Sequence, residues 1–110
     1  MRTAIVFAIY TGLALAATSI HAADLAAGET RYLMNCVNCH GKTGKGMASF
    51  PALEGRDVEF IAQRLMSYRA KEKVGPNSAI MMHLAADLTD DDIANLATYV
   101  AATFGDQPTN

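Results

Sequence analysis

The sequence contains few of the residues that stabilise very small proteins. It has no tryptophan and only two cysteines among 110 residues. A domain of this size buries little apolar surface, so it commonly needs a disulfide, a metal or another internal staple. Only Cys36 and Cys39 are available for such a role. The chemistry of this pair is therefore the first question that the sequence raises.

Long apolar runs are absent except at the N-terminus. Arg2 is followed by an apolar stretch that ends in small residues near Ala22 and Ala23. A basic start, an apolar middle and alanine at the end are typical of a secretory signal. The alternative, an uncleaved membrane anchor, is disfavoured because residues 4–17 fall short of the roughly 20 apolar residues that a spanning helix needs. We expect a signal peptide over residues 1–23, cleaved after Ala22 or Ala23.

The mature domain, residues 24–110, lacks an excess of basic charge. Without Arg2 the chain keeps 8 of its 9 basic side chains against 11 acidic ones, a net charge of −3. Nucleic-acid binding depends on basic surfaces that neutralise phosphates, so we expect no nucleic-acid partner. Export predicts a periplasmic location, with no membrane span after cleavage.

The alternating pattern of β-strands is also absent, whereas apolar residues recur at helical spacing in three segments. The first runs from about Ala26 into the cysteine pair, the second over residues 57–70, and the third over residues 89–104. Asp57 and Thr89 are suited to cap the second and third helices. We predict an all-α fold of one domain.

Two connections, residues 41–55 and 71–88, show no regular pattern and are predicted to be loops. Loops of this length in a compact domain need something to wrap around.

Three hypotheses compete for Cys36, Cys39 and the adjacent His40. A redox dithiol needs a preceding strand, and none is predicted. A zinc site needs further ligands, for which only His83 is at hand. The third hypothesis is the C-x-x-C-H signature of covalently attached haem. Residues three apart lie on one side of a helical turn, so both sulfurs can form thioethers along one porphyrin edge while His40 ligates the iron. We favour haem.

The second axial position of the iron decides much of the function, because an open position binds small ligands and a methionine sulfur is typical of an electron carrier. The candidates are Met34, Met47, Met66, Met81, Met82 and His83. Met34 and Met66 lie on predicted helices, where core filling is the ordinary role. Met47 follows His40 too closely to cross to the opposite haem face. From the residues alone, Met81, Met82 and His83 all remain candidates for the second axial ligand.

The mature chain resembles a class I c-type cytochrome, in particular one haem domain of cytochrome c4 or of the cytochrome subunit of flavocytochrome c sulfide dehydrogenase. Three segments match the family in order and approximate spacing: AAGETRYLMNCVNCHGKTG, FPALEGRDVEFIAQRLMSYR and SAIMMHLAADLTDDDIANLATYVA. The resemblance implies one haem c, bound through Cys36 and Cys39, and a small cytochrome c fold wrapped around it. It also implies that Met81 is the sixth ligand, opposite His40.

Further roles follow from the resemblance. It implies that the carbonyl of Pro51 accepts the N–H of the proximal His40, and that Gly28 lets the first and last helices cross closely. Tyr32, Leu96 and Tyr99 are expected to pack around that crossing. A dry haem pocket is expected from six apolar residues: Phe50, Leu53, Ile61, Leu65, Leu84 and Val100.

The function implied by the resemblance is a non-catalytic, periplasmic carrier of single electrons between redox proteins. A first alternative makes the chain the haem subunit of a flavoprotein sulfide dehydrogenase. A second, more distant alternative is a haem sensor in which Met81 leaves the iron to admit a gas.

Overall fold

The computed structural model describes residues 22–105. Within them the chain forms five helices: α1 (Leu25–Asn35), α2 (Val37–His40), α3 (Val58–Arg69), α4 (Ser78–Ala85) and α5 (Asp90–Phe104). The described residues form no strand beyond an isolated bridge between Met47 and Phe50. The all-α prediction is confirmed. None of the helices in this part of the chain is long and apolar enough to cross a membrane.

The predicted signal peptide, residues 1–23, lies outside the described residues except for its last two positions. It therefore stays a prediction.

Helices α3 and α5 begin at the caps that the sequence predicts. The Asp57 carboxylate accepts a 2.8 Å hydrogen bond from the backbone N–H of Phe60. Thr89 and Asp92 form a reciprocal capping box, in which each side chain accepts the other's backbone N–H. These bonds satisfy N–H groups that have no partner within the helix.

The first predicted helix is interrupted at the cysteine pair. Cys36, with φ −111° and ψ −34°, ends α1 and begins the single turn of α2. Its carbonyl accepts the backbone N–H groups of Cys39 and His40, at 3.2 and 3.0 Å. Both sulfurs and the imidazole therefore belong to one short turn.

The prediction of an irregular loop over residues 71–88 was wrong, because this segment contains helix α4. Its eight residues, SAIMMHLA, are mostly apolar on every side, so they show no amphipathic period from which a helix could be inferred. The helix also begins without the usual signal, since the side chain of Asn77 at its N-cap makes no capping bond.

Helices α1 and α5 pack directly on each other. A Cβ atom on Gly28 would overlap the backbone carbonyl oxygen of Asn95 and lie 2.8 Å from the Cβ of Tyr99. The ring centroid of Tyr32 lies 5.6 Å from that of Tyr99 and 5.3 Å from that of Phe104. The predicted role of Gly28 at the crossing is confirmed, and Phe104 is an added member of the aromatic cluster.

The end of α5 also holds the loop that follows the cysteine motif. Gly44 has φ +70°, and a Cβ there would lie 2.6 Å from a ring carbon of Phe104. Gly55 donates its backbone N–H to the Phe104 carbonyl at 2.9 Å, and Leu53 donates to the Gly44 carbonyl at 2.6 Å. The loop is thus packed and hydrogen-bonded against the last turn of α5.

The buried apolar core is small and comes mainly from α5. Its members within residues 22–105 are Tyr32, Ile61, Ala85, Leu88, Ile93, Leu96, Ala97, Val100 and Phe104.

Candidate functional site

A cavity of about 670 Å³ lies between the loop after His40 and all five helices, α1 to α5. This volume is within the range of small-molecule and cofactor sites, roughly 300–1,000 Å³. The six residues predicted to form a dry pocket all line it: Phe50, Leu53, Ile61, Leu65, Leu84 and Val100. The small core described above therefore surrounds a space large enough for a cofactor.

The cysteine motif forms one wall of this cavity, to which Cys36, Cys39 and His40 all contribute. The two cysteines are half-buried and are not joined in a disulfide. Burial raises the pKa of the Cys36 thiol to about 11, against the opposing effect of the Arg31 guanidinium.

The imidazole of His40 is held in one orientation. The side chain is only 7% exposed, and its Nδ1 lies 2.9 Å from the carbonyl oxygen of Pro51. Because a carbonyl can only accept, Nδ1 must donate its hydrogen, which leaves Nε2 as the nitrogen with a free lone pair. Such a second bond fixes the tautomer and orientation of a metal-ligating histidine. The expected hydrogen bond from His40 to the Pro51 carbonyl is present.

Among the candidates for the second axial position, Met81 is a half-buried residue of α4 that lines the cavity. His83 also lines it but is exposed, and Met82 does not line it. The prediction that Met34 and Met66 fill the core was wrong, since they are 66% and 42% exposed. Both lie on the outer sides of their helices, and neither borders the cavity.

Two arginines at the cavity were missed by the sequence-based predictions. The guanidinium carbons of Arg56 and Arg64 lie 4.5 and 5.0 Å from the ring centroid of Phe60. All three residues line the cavity, and within residues 22–105 neither arginine forms a salt bridge. The spacing of four residues from Phe60 to Arg64 was a signal in the sequence, because residues four apart share a helical face. Arg56 precedes the N-cap of α3, so helical spacing does not place it.

The site fits haem better than the two other hypotheses. In the part of the chain that the structure describes, no group of three or more His, Cys, Asp or Glu side chains could hold a metal ion, so the zinc hypothesis gains no support. No strand leads into Cys36, as a thioredoxin-like dithiol would require. The site instead has what haem needs. The two thiols on one turn match its attachment edge, the oriented imidazole matches its iron, and the apolar walls match its ring.

Comparison with known proteins decides the family. The model of the cytochrome c family matches residues 25–104. The chain belongs to the cytochrome c family. It is 38% identical to cytochrome c-554(548) of Halomonas halodenitrificans over 82 residues, which are 74% of this chain and 98% of that protein. It is also 38% identical to cytochrome c-554(547) of Halothiobacillus neapolitanus, over 73% of this chain and 97% of that one.

Among solved structures, the fold is similar to that of reduced cytochrome c4 from Pseudomonas stutzeri, with a TM-score of 0.59 and 27% sequence identity. The match covers 71% of this chain and 48% of the other, so this cytochrome spans about half the length of that protein. The resemblance to cytochrome c4 inferred from the sequence is confirmed. This cytochrome is a single-haem electron carrier, and one haem c is attached through Cys36 and Cys39.

Proposed function

We propose that this cytochrome is a periplasmic carrier of single electrons between redox proteins, with His40 and Met81 as the two axial ligands of its haem iron. The observation that supports the proposal is that these two residues, from α2 and α4, line one apolar cavity. With both axial positions filled by side chains, the iron offers no open position to a substrate. Bound haem supplies an iron that accepts and releases one electron.

The residues of the cavity tune that iron in two ways. Apolar walls from α3, α4 and α5 exclude water and so favour the less charged, ferrous state. The thioether of Met81 is a soft, neutral ligand that favours the same state, whereas a second imidazole would do so less. The bond from His40 to Pro51 keeps the proximal ring from rotating when the charge of the iron changes.

Arg56 and Arg64 are suited to the part of haem that is charged. The porphyrin bears two carboxylates on the side away from the thioether bonds, and guanidinium groups bind carboxylates through paired hydrogen bonds. Both arginines line the cavity without a carboxylate partner in the described residues. We assign them to the haem propionates.

The ligand assignment is tested by replacing Met81 with Ala. The oxidised protein should lose the near-infrared band of the sulfur-to-iron bond. Its reduction potential should fall by on the order of 100 mV, a modest part of the roughly 0.8 V over which axial ligands set haem potentials.

Met82→Ala is the matched control, since this neighbouring side chain does not line the cavity. If Met82→Ala abolishes the band and Met81→Ala preserves it, or if the unaltered protein lacks the band, as ligation by His83 predicts, the assignment is wrong.

A contact surface for a partner protein is offered by the cavity mouth. Val74, Ile80 and Leu84 line the cavity and are 37%, 47% and 37% exposed. An apolar rim of this kind suits the small interfaces of redox encounters, and it also suits the subunit interface of a flavoprotein complex.

Purification from the native periplasm separates these possibilities. A protein that elutes alone supports the free carrier, whereas stable copurification with a flavoprotein supports the sulfide dehydrogenase hypothesis. Rapid binding of carbon monoxide by the reduced protein at neutral pH would contradict both and favour the sensor.

A further inference from the structure

Ser78, the first residue of α4, has an unusually complete set of hydrogen bonds. Its side-chain oxygen accepts the backbone N–H groups of Val74 and Gly75, at 2.8 and 2.7 Å. The same hydroxyl donates to the carbonyl of Gly75 at 2.8 Å. The residue is only 4% exposed. One buried hydroxyl therefore holds the whole turn that precedes the helix.

This arrangement replaces an ordinary helix cap. The side chain of Asn77, at the N-cap of α4, makes no capping bond. An isolated helix of eight residues is not stable in water, so α4 depends on its packing against α3 and on the segment that leads into it. Without the Ser78 hydroxyl, two backbone N–H groups of that segment would lose their partner.

Ser78 also has a fixed relation to the proposed iron ligand. Met81 follows it by three residues, so the two side chains lie on the same face of α4, one turn apart. Both line the cavity. A shift of the first turn of α4 would therefore move the Met81 sulfur directly.

We propose that Ser78 is a positioning residue for Met81, which fixes the start of α4 so that the sulfur stays on the iron against competing external ligands. The inference rests on the proposed ligation by Met81. Its expected signature is faster replacement of the methionine by an added ligand, because the rate depends on how readily α4 withdraws from the cavity.

The test compares three variants of the mature holoprotein: Ser78→Ala, Ser78→Thr and Ser67→Ala. Ser67 is a matched control, since it is a helical serine of α3 whose side chain makes no hydrogen bond within residues 22–105 and does not line the cavity. Imidazole is added to the oxidised protein, and the loss of the near-infrared band is followed in time. The free energy of unfolding is measured on the same samples by denaturant titration.

We expect Ser78→Ala to retain the band and to bind imidazole about tenfold faster than the unaltered protein, a difference of about 1.4 kcal/mol in the barrier. Ser78→Thr, which keeps a hydroxyl, should restore a slow rate, and Ser67→Ala should leave the rate unchanged. An unchanged imidazole rate in Ser78→Ala overturns the proposal, even if its unfolding free energy falls, because a purely structural role predicts that result. The ligand assignment fails separately, if Met81→Ala itself retains the band.

Discussion

The two sides of the cavity are held together by different means. On one side, α1 and α5 cross at Gly28, where their backbones are in close contact. The side chains of Tyr32 and Phe104 are buried at this crossing, with 1% and 4% of their surface exposed. On the other side, α4 is short, packs on α3, and exposes about half of Ile80. The packing contacts at the crossing are made by the polypeptide alone, whereas α4 faces the space that haem fills.

The difference shows where the cofactor contributes to stability. Residues at the crossing already have their contacts, so haem adds little to them. The partly exposed residues of α4 that line the cavity, Ile80 and Leu84, would gain apolar contacts from the porphyrin ring. The bound haem is therefore part of the hydrophobic core on one side of the molecule and only a neighbour of the core on the other.

The largest expected effect comes from removing both haem attachments with Cys36→Ala and Cys39→Ala. Without haem the cavity loses the group that would fill it, and a domain this small has a total stability of only about 5 kcal/mol or somewhat more. We expect no cooperative unfolding transition at 25 °C and a large loss of helical circular dichroism. Met34→Ala, a change at a 66% exposed side chain, is the control. Native-like helicity with cooperative unfolding in the haem-free variant would contradict this division of the core.

The crossing of α1 and α5 can be disturbed by a single added methyl group. In Gly28→Ala the new Cβ would overlap the Asn95 carbonyl oxygen, and the backbone of α5 cannot move away without disturbing its own packing. We expect a loss of about 1–3 kcal/mol in unfolding free energy, although alanine favours helix by up to about 1 kcal/mol. Glu29→Ala is the control, since it is the neighbouring, exposed position of α1. Equal denaturation midpoints for the two variants would contradict this prediction, because they would show that α1 and α5 can move apart without loss of stability.

The smallest predicted effect concerns pH and the start of α5. The backbone N–H of Thr89 lowers the pKa of the Asp92 carboxyl, aided by the Thr89 hydroxyl and Arg31. A lowered folded-state pKa means that this stabilisation is present above the usual value of 3.8 and is lost as the pH falls below it. Because the carboxylate is partly exposed, we expect Asp92→Asn to cost only about 0.5–1 kcal/mol at pH 7.

The same variant should flatten the fall in stability below about pH 4, as measured by denaturant titration across the acid range. Asp91→Asn, in the same turn but outside the capping box, should leave that slope in place. A slope that Asp92→Asn does not alter would assign the acid sensitivity to other carboxylates.

Local signals allowed much of this molecule to be predicted from sequence. Asp57 and Thr89 marked the starts of α3 and α5 because their side chains accept backbone N–H groups only a few residues away. The cysteine motif indicated haem because its chemistry is contained in one turn. Gly28 and Pro51 were placed by family resemblance, and the contacts of both are as expected.

The features that were missed depend on long-range packing. Helix α4 has no amphipathic period; it packs on α3 and follows a turn whose backbone is hydrogen-bonded to the Ser78 hydroxyl. Met34 and Met66 have side chains that suit either a core or a surface, and which of the two they occupy depends on where the cavity lies. The Arg31–Asp92 pair, at 3.4 Å, joins residues 61 apart in sequence and could not be inferred from either segment alone.

The contact of Phe104 with the loop after His40 has a practical consequence for handling this protein. The ring of Phe104 lies against Gly44, and its carbonyl fixes Gly55, so the last turn of α5 braces both ends of the segment that contains Pro51. Pro51 in turn orients the proximal imidazole. A truncation or a rigid fusion within that turn would therefore alter the absorption spectrum and the reduction potential of the cytochrome. It would do so although the altered residues lie far along the chain from every residue bonded to haem.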